Sequence, residues 1–391
     1  MEAPNAARLC DNFVPMRPRP DRLERLPEQY FTALLARVAQ AAARDGEPVV
    51  DLGRGNPEVG PPPHVVERLD QAARDPSAHG YAPSRGLPEL REAIAERYRT
   101  HYGVELDPER EVAVVPGTKS AIVDLALTLA ERGQTIALPD PGYPDYFSGV
   151  ALAGAELTFV TLEEETEWST DFSALPRNDL AAVYLNFPSN PVAVVETPGT
   201  FHYAIQFAAE TGAAIVHDFA YGDLVYDGWK PASFLAWEGA KDVGVEMFSM
   251  SKTYGMAGWR LGFVVGNAEI VSRVDLLGDH MRAGIFRPVQ EAGIAALTGP
   301  QDSVVERVNA YRRRRDRVLE VIPDGICQGT FFVWFPLPEG WTAERILEDL
   351  RVAVAPGEGF GSRGAGWARL SLAVTDETLN AGLERLRSAF A

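Results

Sequence analysis

The sequence predicts an α/β protein: one large, mainly parallel sheet of seven strands, followed by a smaller α+β domain. Three observations predict this. Short runs rich in Val, Ile and Ala alternate with helical stretches between residues 112 and 265. Most of these runs are apolar throughout, as strands covered on both faces must be. After about residue 270 the pattern changes to long helices and then to clustered strands, which is the signature of a separate α+β unit. With 391 residues the chain is long enough for two domains. The expected division is an N-terminal arm at 1–20, a large domain at 49–285, and a small domain formed by 21–48 together with 286–391.

In the arm, prolines at 4, 15, 18 and 20 forbid regular structure. A helix is expected from about Pro27 to Arg44, stopped at Gly46 and folded back onto the small domain. Val49-Val-Asp-Leu breaks into Gly53-Arg-Gly-Asn-Pro57, which suggests backbone approaching a ligand. Helices follow from Pro61-Pro-Pro63 through Ala73 and from Leu87 to Tyr102. The candidate strands are Val112–Val115, Thr135–Leu138, Leu157–Val160, Ala181–Leu185, Ala213–His217, Val245–Ser249 and Leu261–Val265. Beyond them, the basic cluster Tyr311-Arg-Arg-Arg-Arg-Asp316 reads as a solvated helix face. Strands are expected at 330–335, 352–354 and 368–374, with a last helix from Asp376.

The net charge of −18 argues against nucleic acid and anionic membrane surfaces as partners. A site for acidic metabolites must therefore bring its own arginines. Two cysteines, Cys10 and Cys327, offer neither a disulfide framework nor metal-ligand spacing, which fits a reducing cytoplasm. No apolar run approaches a membrane span, and the N-terminus lacks the apolar core of a signal peptide.

Chemistry concentrates at the strand ends. The chain has four lysines against 33 arginines. One of them, Lys252, lies between Ser251 and Thr253, just after a strand. A lysine held deprotonated can form a Schiff base with an aldehyde. Ser249, Ser251 and Arg260 are suitable donors for a phosphate beside it. Gly117-Thr118-Lys119 opens a helix, where free N–H groups and the dipole favour a phosphate; Thr118 could equally be a plain N-cap. Pro141-Gly-Tyr143-Pro presents an aromatic ring able to stack on a planar cofactor. Asn190 could donate to a ring oxygen and Asn186 brace its loop, although Asn-Pro is also a common turn. Asp218 ends a strongly apolar strand, where a carboxylate needs a cationic partner such as a protonated pyridine nitrogen. Tyr221 follows three residues later. Arg369, in an apolar strand, suits a carboxylate; a structural ion pair is the alternative.

The chain resembles the fold-type I, class I/II PLP-dependent aminotransferases over nearly its whole length. The motifs come in that family's order: Gly53-x-Gly-Asn-Pro57, Tyr81-x-x-x-x-Gly-x-x-x-Leu-Arg91, Pro116-Gly-Thr-Lys119, Pro141-Gly-Tyr-Pro144, Asn190-Pro191, Asp218-x-Ala-Tyr221, and Ser249-x-Ser-Lys252 with Arg260 eight residues on. The stretches 217–230, 241–248 and 251–260 look like bacterial glutamate–pyruvate (alanine) transaminases and LL-diaminopimelate aminotransferases. The resemblance implies pyridoxal 5′-phosphate as cofactor, an L-amino acid and a 2-oxo acid as substrates, and glutamate/2-oxoglutarate as one pair. It implies Lys252 as the cofactor-binding, proton-moving lysine, Asp218 on the ring nitrogen, Asn190 and Tyr221 on the ring oxygen, and Tyr143 on the ring face. It gives the phosphate to Gly117, Thr118, Lys119, Ser249, Ser251 and Arg260, and the α-carboxylate to Arg369, Asn190 and Gly55. It further implies a homodimer with shared active sites, Tyr81 reaching the neighbour's phosphate.

The sequence departs from that pattern at three places. Asn190-Pro-Val-Ala193 replaces Asn-Pro-Thr-Gly or Asn-Pro-Thr-Ala. Arg54 stands where a small or apolar residue is usual, and Arg282 where close relatives tend to be acidic. The two arginines raise the expectation of an acidic or polar substrate side chain; the alternative is that either points to solvent. A lyase, cyclase or decarboxylase on the same scaffold needs the same core residues, and a non-catalytic binding protein would keep the fold.

Overall fold

The computed structural model describes residues 17–44, 46–197, 199–230 and 232–390, so most of the expected arm lies outside the described residues. The large sheet has seven strands: β2 (Val112–Val115), β3 (Thr135–Asp140), β4 (Glu156–Thr161), β5 (Leu180–Asn186), β6 (Ala214–Asp218), β7 (Gly244–Ser249) and β8 (Gly262–Gly266). Their spatial order is β2-β8-β7-β6-β5-β3-β4. The run from β7 through β6, β5 and β3 to β4 is parallel. β8 is antiparallel to both neighbours; the chain leaves β7 through residues 250–261, which hold the one-turn helix Met250–Thr253, and turns back beside it without a crossover helix. Apart from the edge strand β4, which is partly exposed, the sheet is buried on both faces, which explains why its strands are apolar without alternation.

The C-terminal part forms two small sheets. β1 (Val50–Asp51) pairs in parallel with β10 (Val352–Ala353). β9 (Phe332–Pro336), β11 (Ala355–Pro356) and β12 (Trp367–Ser371) form an antiparallel sheet in the order β11-β12-β9. Leu52 packs into this second core with Phe332, Val352, Leu370 and Leu383. Two segments therefore pack across the expected boundaries. β1 joins the C-terminal sheets although it follows residue 49. The helix Arg287–Thr298, beyond residue 286, packs on the helices Pro63–Ala73 and Pro88–Arg97 beside the large sheet.

The helix expected from Pro27 to Arg44 runs from Tyr30 to Ala42, with the Gln29 side chain accepting from the Phe31 N–H. It lies along the helix Ala343–Asp349, tied by Arg37–Glu344 and Arg44–Glu348 ion pairs of 3.2 and 3.4 Å.

The cluster 311–316 corrects the expectation of a solvated face. Arg312 and Arg313 are exposed, but Arg314 and Arg315 are buried. Arg314 pairs with Glu58 and donates to Asp376 at 2.9 Å and to the Leu372 carbonyl at 3.0 Å. Arg315 pairs with Asp227 and Asp316. From the same helix, Arg307 donates to the Val59 and Gly60 carbonyls. The helix thus grips the loop that leads away from Gly53–Pro57.

Candidate active site

Three neighbouring parallel strands deliver the polar groups of the site from their C-terminal ends: Asn186 from β5, Asp218 from β6 and Ser249 from β7. Ligands of open α/β sheets bind at this edge. A cavity of about 460 Å³ opens there. Its lining includes Gly55, Thr118, Lys119, Tyr143, Asn190, Asp218, Tyr221, Ser249, Ser251, Lys252, Arg260 and Arg369, together with Arg54.

Lys252 sits in the one-turn helix Met250–Thr253, whose N-cap Ser249 accepts from the Ser251 N–H. Its Nζ donates to the Gly55 carbonyl at 3.1 Å. Desolvation, then Arg369 and Arg260, lower the amine from its ordinary 10.5 to about 8, against an opposing pull from Asp218. A fraction of the amine is therefore free at neutral pH.

Asp218 accepts from the Tyr146 hydroxyl at 2.8 Å and from the Ala220 N–H at 3.1 Å. Burial raises its carboxyl, and these two hydrogen bonds pull it back. The Asn186 side chain donates to the Asp218 carbonyl at 2.8 Å and accepts from the Asn190 N–H at 2.7 Å. It braces the Asn190 loop, as expected of it.

Arg369 is fully buried among the rings of Phe332 (3.7 Å from its guanidinium carbon) and Phe360 (4.7 Å). It donates to Asn190 Oδ1 and to the Gly53 carbonyl at 3.3 Å, while Nε has no partner. Desolvation brings the guanidinium down to about 10. No carboxylate pairs with it among the described residues, so the structural ion pair weighed from sequence does not form.

Gly117, at φ +83°, is the N-cap of the helix Thr118–Leu129, and no side chain caps that helix. A Cβ at Gly117 would lie 2.6 Å from Arg260 Nη2. Gly262 lies against the same turn, where its Cβ would sit 3.2 Å from the Gly117 Cα. The two glycines let an uncapped helix start and an arginine meet at close range. Arg260 itself is held at φ +56°. The Lys119 ammonium is turned to Asp145 at 3.0 Å, and the Tyr143 hydroxyl donates to the same carboxylate.

A family model for aminotransferase class I and II matches residues 47–386. The chain is a class I and II aminotransferase. It is 43% identical, over 93% of its length and 94% of the relative's, to the L-glutamine–4-(methylsulfanyl)-2-oxobutanoate aminotransferase of Bacillus subtilis (strain 168). It is 37% identical to an LL-diaminopimelate aminotransferase of Dehalococcoides mccartyi, over 93% and 97% of the two chains. The substrate-bound BacF structure from Bacillus subtilis superimposes with a TM-score of 0.89 and 37% identity, over 95% of this chain and 98% of that one. The aminotransferase uses pyridoxal 5′-phosphate, as its family does.

The site fits that cofactor. An uncapped helix N-terminus beside Arg260 and two serines suits a phosphate. A buried carboxylate with no ion pair among the described residues suits a protonated ring nitrogen, and a lysine with a lowered pKa suits an aldehyde.

Three expected site residues do not line the cavity: Gly117, which lies against Arg260 at its edge, and Tyr81 and Arg282. Tyr81 is 97% exposed. Arg282 is paired at 2.8 Å with Asp124, a nearly buried carboxylate on the helix Thr118–Leu129. Burial raises Asp124 and Arg282 draws it back, so a structural demand holds this arginine. Arg54 lies at the cavity with 61% of its side chain exposed and, among the described residues, only a 3.9 Å ionic contact, to Asp51.

Besides Phe332, the lining residues not singled out from sequence include four others, Tyr146, Phe31, Leu34 and Leu35. Tyr146 follows Tyr143 at helical spacing, a signal that was available. The other three belong to the N-terminal helix, which only tertiary packing brings to the cavity.

Proposed function

We propose that this aminotransferase moves an amino group between an L-amino acid and a 2-oxo acid with Lys252 as the proton-moving base, and with glutamate/2-oxoglutarate as one pair. The observation that carries the reading is the meeting, in one cavity, of a lysine of lowered pKa and a buried arginine that has no carboxylate partner among the described residues. Bound pyridoxal 5′-phosphate supplies the carbonyl for amine exchange and a ring that takes up the electron pair left when a Cα proton departs.

The chain's own residues do the rest. Arg369 takes the α-carboxylate on its bidentate fork and orients the amino acid, with Asn190 and the Gly55 backbone beside it. Lys252 Nζ takes the Cα proton and returns it on the far side of the transfer. Asp218 keeps the ring nitrogen protonated, with Tyr146 and the Ala220 N–H holding the carboxylate ionised. Asn190 and Tyr221 hold the ring oxygen, and Tyr143 covers the ring face. Gly117, Thr118 and Lys119, through backbone N–H groups, with Ser249, Ser251 and Arg260, hold the phosphate. Tyr81 reaches that phosphate from a second subunit of a homodimer. The enzyme works in the cytoplasm.

The second partner is alanine/pyruvate-like or carries a more polar side chain. Arg54 favours the polar case, since its one ionic contact among the described residues is long and its head is open to the cavity. Of the relatives, the LL-diaminopimelate aminotransferase is named for an amino acid with a polar side chain, while the glutamine aminotransferase is named for a polar donor and an oxo acid with an apolar methylsulfanyl group. Arg54→Met is expected to lower kcat/KM for glutamate about tenfold, a loss of about 1.4 kcal/mol, and to leave alanine within about twofold. Equal loss on both substrates, or none on either, would overturn the role of Arg54. The transfer itself is tested by product analysis: stoichiometric oxo acid with pyridoxamine phosphate supports it, whereas oxo acid without pyridoxamine phosphate indicates elimination.

A further inference from the structure

A second buried polar cluster lies behind the cavity and does not line it. Its centre is Asp223, two residues after Tyr221, with 9% of its side chain exposed. Both carboxylate oxygens are used. Oδ2 accepts from the Thr253 hydroxyl at 2.7 Å. Oδ1 accepts from Arg97 Nη2 at 2.5 Å and from the Tyr102 hydroxyl at 3.1 Å. Thr253 is the residue after Lys252 and is 1% exposed. Arg97 comes from the end of the helix Pro88–Arg97, and its other terminal nitrogen donates at 3.0 Å to the hydroxyl of Tyr254, the residue after Thr253.

Two turns carry the reactive groups: 218–224 with Asp218 and Tyr221, and 249–254 with Lys252. They come from adjacent strands, and the last backbone bond of the ladder between them, from the Phe219 N–H to the Met247 carbonyl at 2.9 Å, reaches the first turn but stops short of the second. Beyond β6 and β7 the Thr253–Asp223 bond joins them directly, and Arg97 anchors both to the helix layer. The Lys252 ammonium lies 5.8 Å from the Tyr221 ring centroid, so a small shift of one turn against the other changes the surroundings of the amine.

We propose that Thr253 and Asp223 are positioning residues for Lys252: their hydrogen bond, backed by Arg97, fixes the lysine turn against the Asp218–Tyr221 turn, and so sets where the amine stands and how dry its surroundings are. This rests on Lys252 as the base of the transfer. The two claims are separable, because Lys252→Ala tests the base and leaves the pair intact.

Asp223→Asn would leave Arg97 buried without its counter-charge and so disturbs folding as well. The decisive variant is Thr253→Val, which keeps the shape and removes one hydroxyl, with Thr253→Ser as the rescue. The first readout is the pH dependence of Lys252 modification by an amine-reactive acylating reagent in the apoenzyme, followed by peptide mass analysis. The others are the KM and kcat of the loaded enzyme and the melting temperature.

For Thr253→Val the modification midpoint is expected to rise by at least half a pH unit, as water enters around a looser turn. We also expect kcat to fall about tenfold with KM within twofold, and Thr253→Ser to restore both. A midpoint and kcat indistinguishable from the parent would overturn the proposal. So would a lower melting temperature and kcat with an unmoved midpoint, which is the outcome of a purely structural bond. If Lys252→Ala retains activity, the assignment of the base falls first.

Discussion

Lys252 can be tested before any cofactor is added. Burial and the positive charges of Arg369 and Arg260 disfavour its ammonium, so the free amine should appear as pH rises through about 8. Modification of Lys252 in the apoenzyme is expected to show that midpoint. Arg369→Leu should move it upward, because one neighbouring positive charge disappears. At Asp218 the prediction is kinetic. Asp218→Asn keeps the shape and removes the charge that would hold a ring nitrogen protonated. It should lower kcat by roughly a hundredfold or more, measured at saturating substrate. Lys252 and Asp218 stood out in the sequence as candidates because each breaks a local rule: a rare lysine in a tight turn, a carboxylate ending an apolar strand. Arg282 broke a family pattern too, yet its position answers to Asp124, a partner 158 positions away in the chain, from Asp124 to Arg282.

Among the elements, the helix Asp302–Leu319 shows how one charged run can serve two purposes. Arg314→Met strands Glu58 and should cost about 3 kcal/mol of stability, read by chemical denaturation. Arg313→Met, on the exposed face, should stay within about 0.5 kcal/mol. Charge pattern alone could not separate these neighbours, because Glu58 lies 256 residues from Arg314. The large-sheet strands were readable for the opposite reason. Strands covered on both faces are apolar all along, a local property that survives any change in the order of the strands. At the start of the helix Thr118–Leu129, Gly117→Ala is strained at φ +83° and drives a methyl group towards Arg260. That change is expected to raise the dissociation constant for pyridoxal 5′-phosphate at least tenfold, measured by fluorescence titration, with the melting temperature of the apoenzyme falling only slightly.

For the molecule as a whole, the fully exposed Tyr81 and the cavity it does not reach frame the dimer proposal. Sedimentation is expected to give twice the monomer mass, and Tyr81→Ala to weaken phosphate-dependent cofactor binding. A monomeric enzyme with undiminished affinity in the Tyr81 variant would remove the shared site. By itself the sequence determined the class of fold, the seven strands to within a residue or two, the cofactor and the residues at the strand ends that suit it. These follow from local apolar pattern and from motifs in a fixed order, both independent of how distant segments meet. Tertiary structure alone decided that the helix Tyr30–Ala42 supplies apolar lining, that β1 joins the C-terminal sheets, that Arg369 is buried without a carboxylate, and that Arg282 is held by Asp124. Each depends on which partner lies across a packed interface, and desolvation makes that choice only once the chain has closed around it.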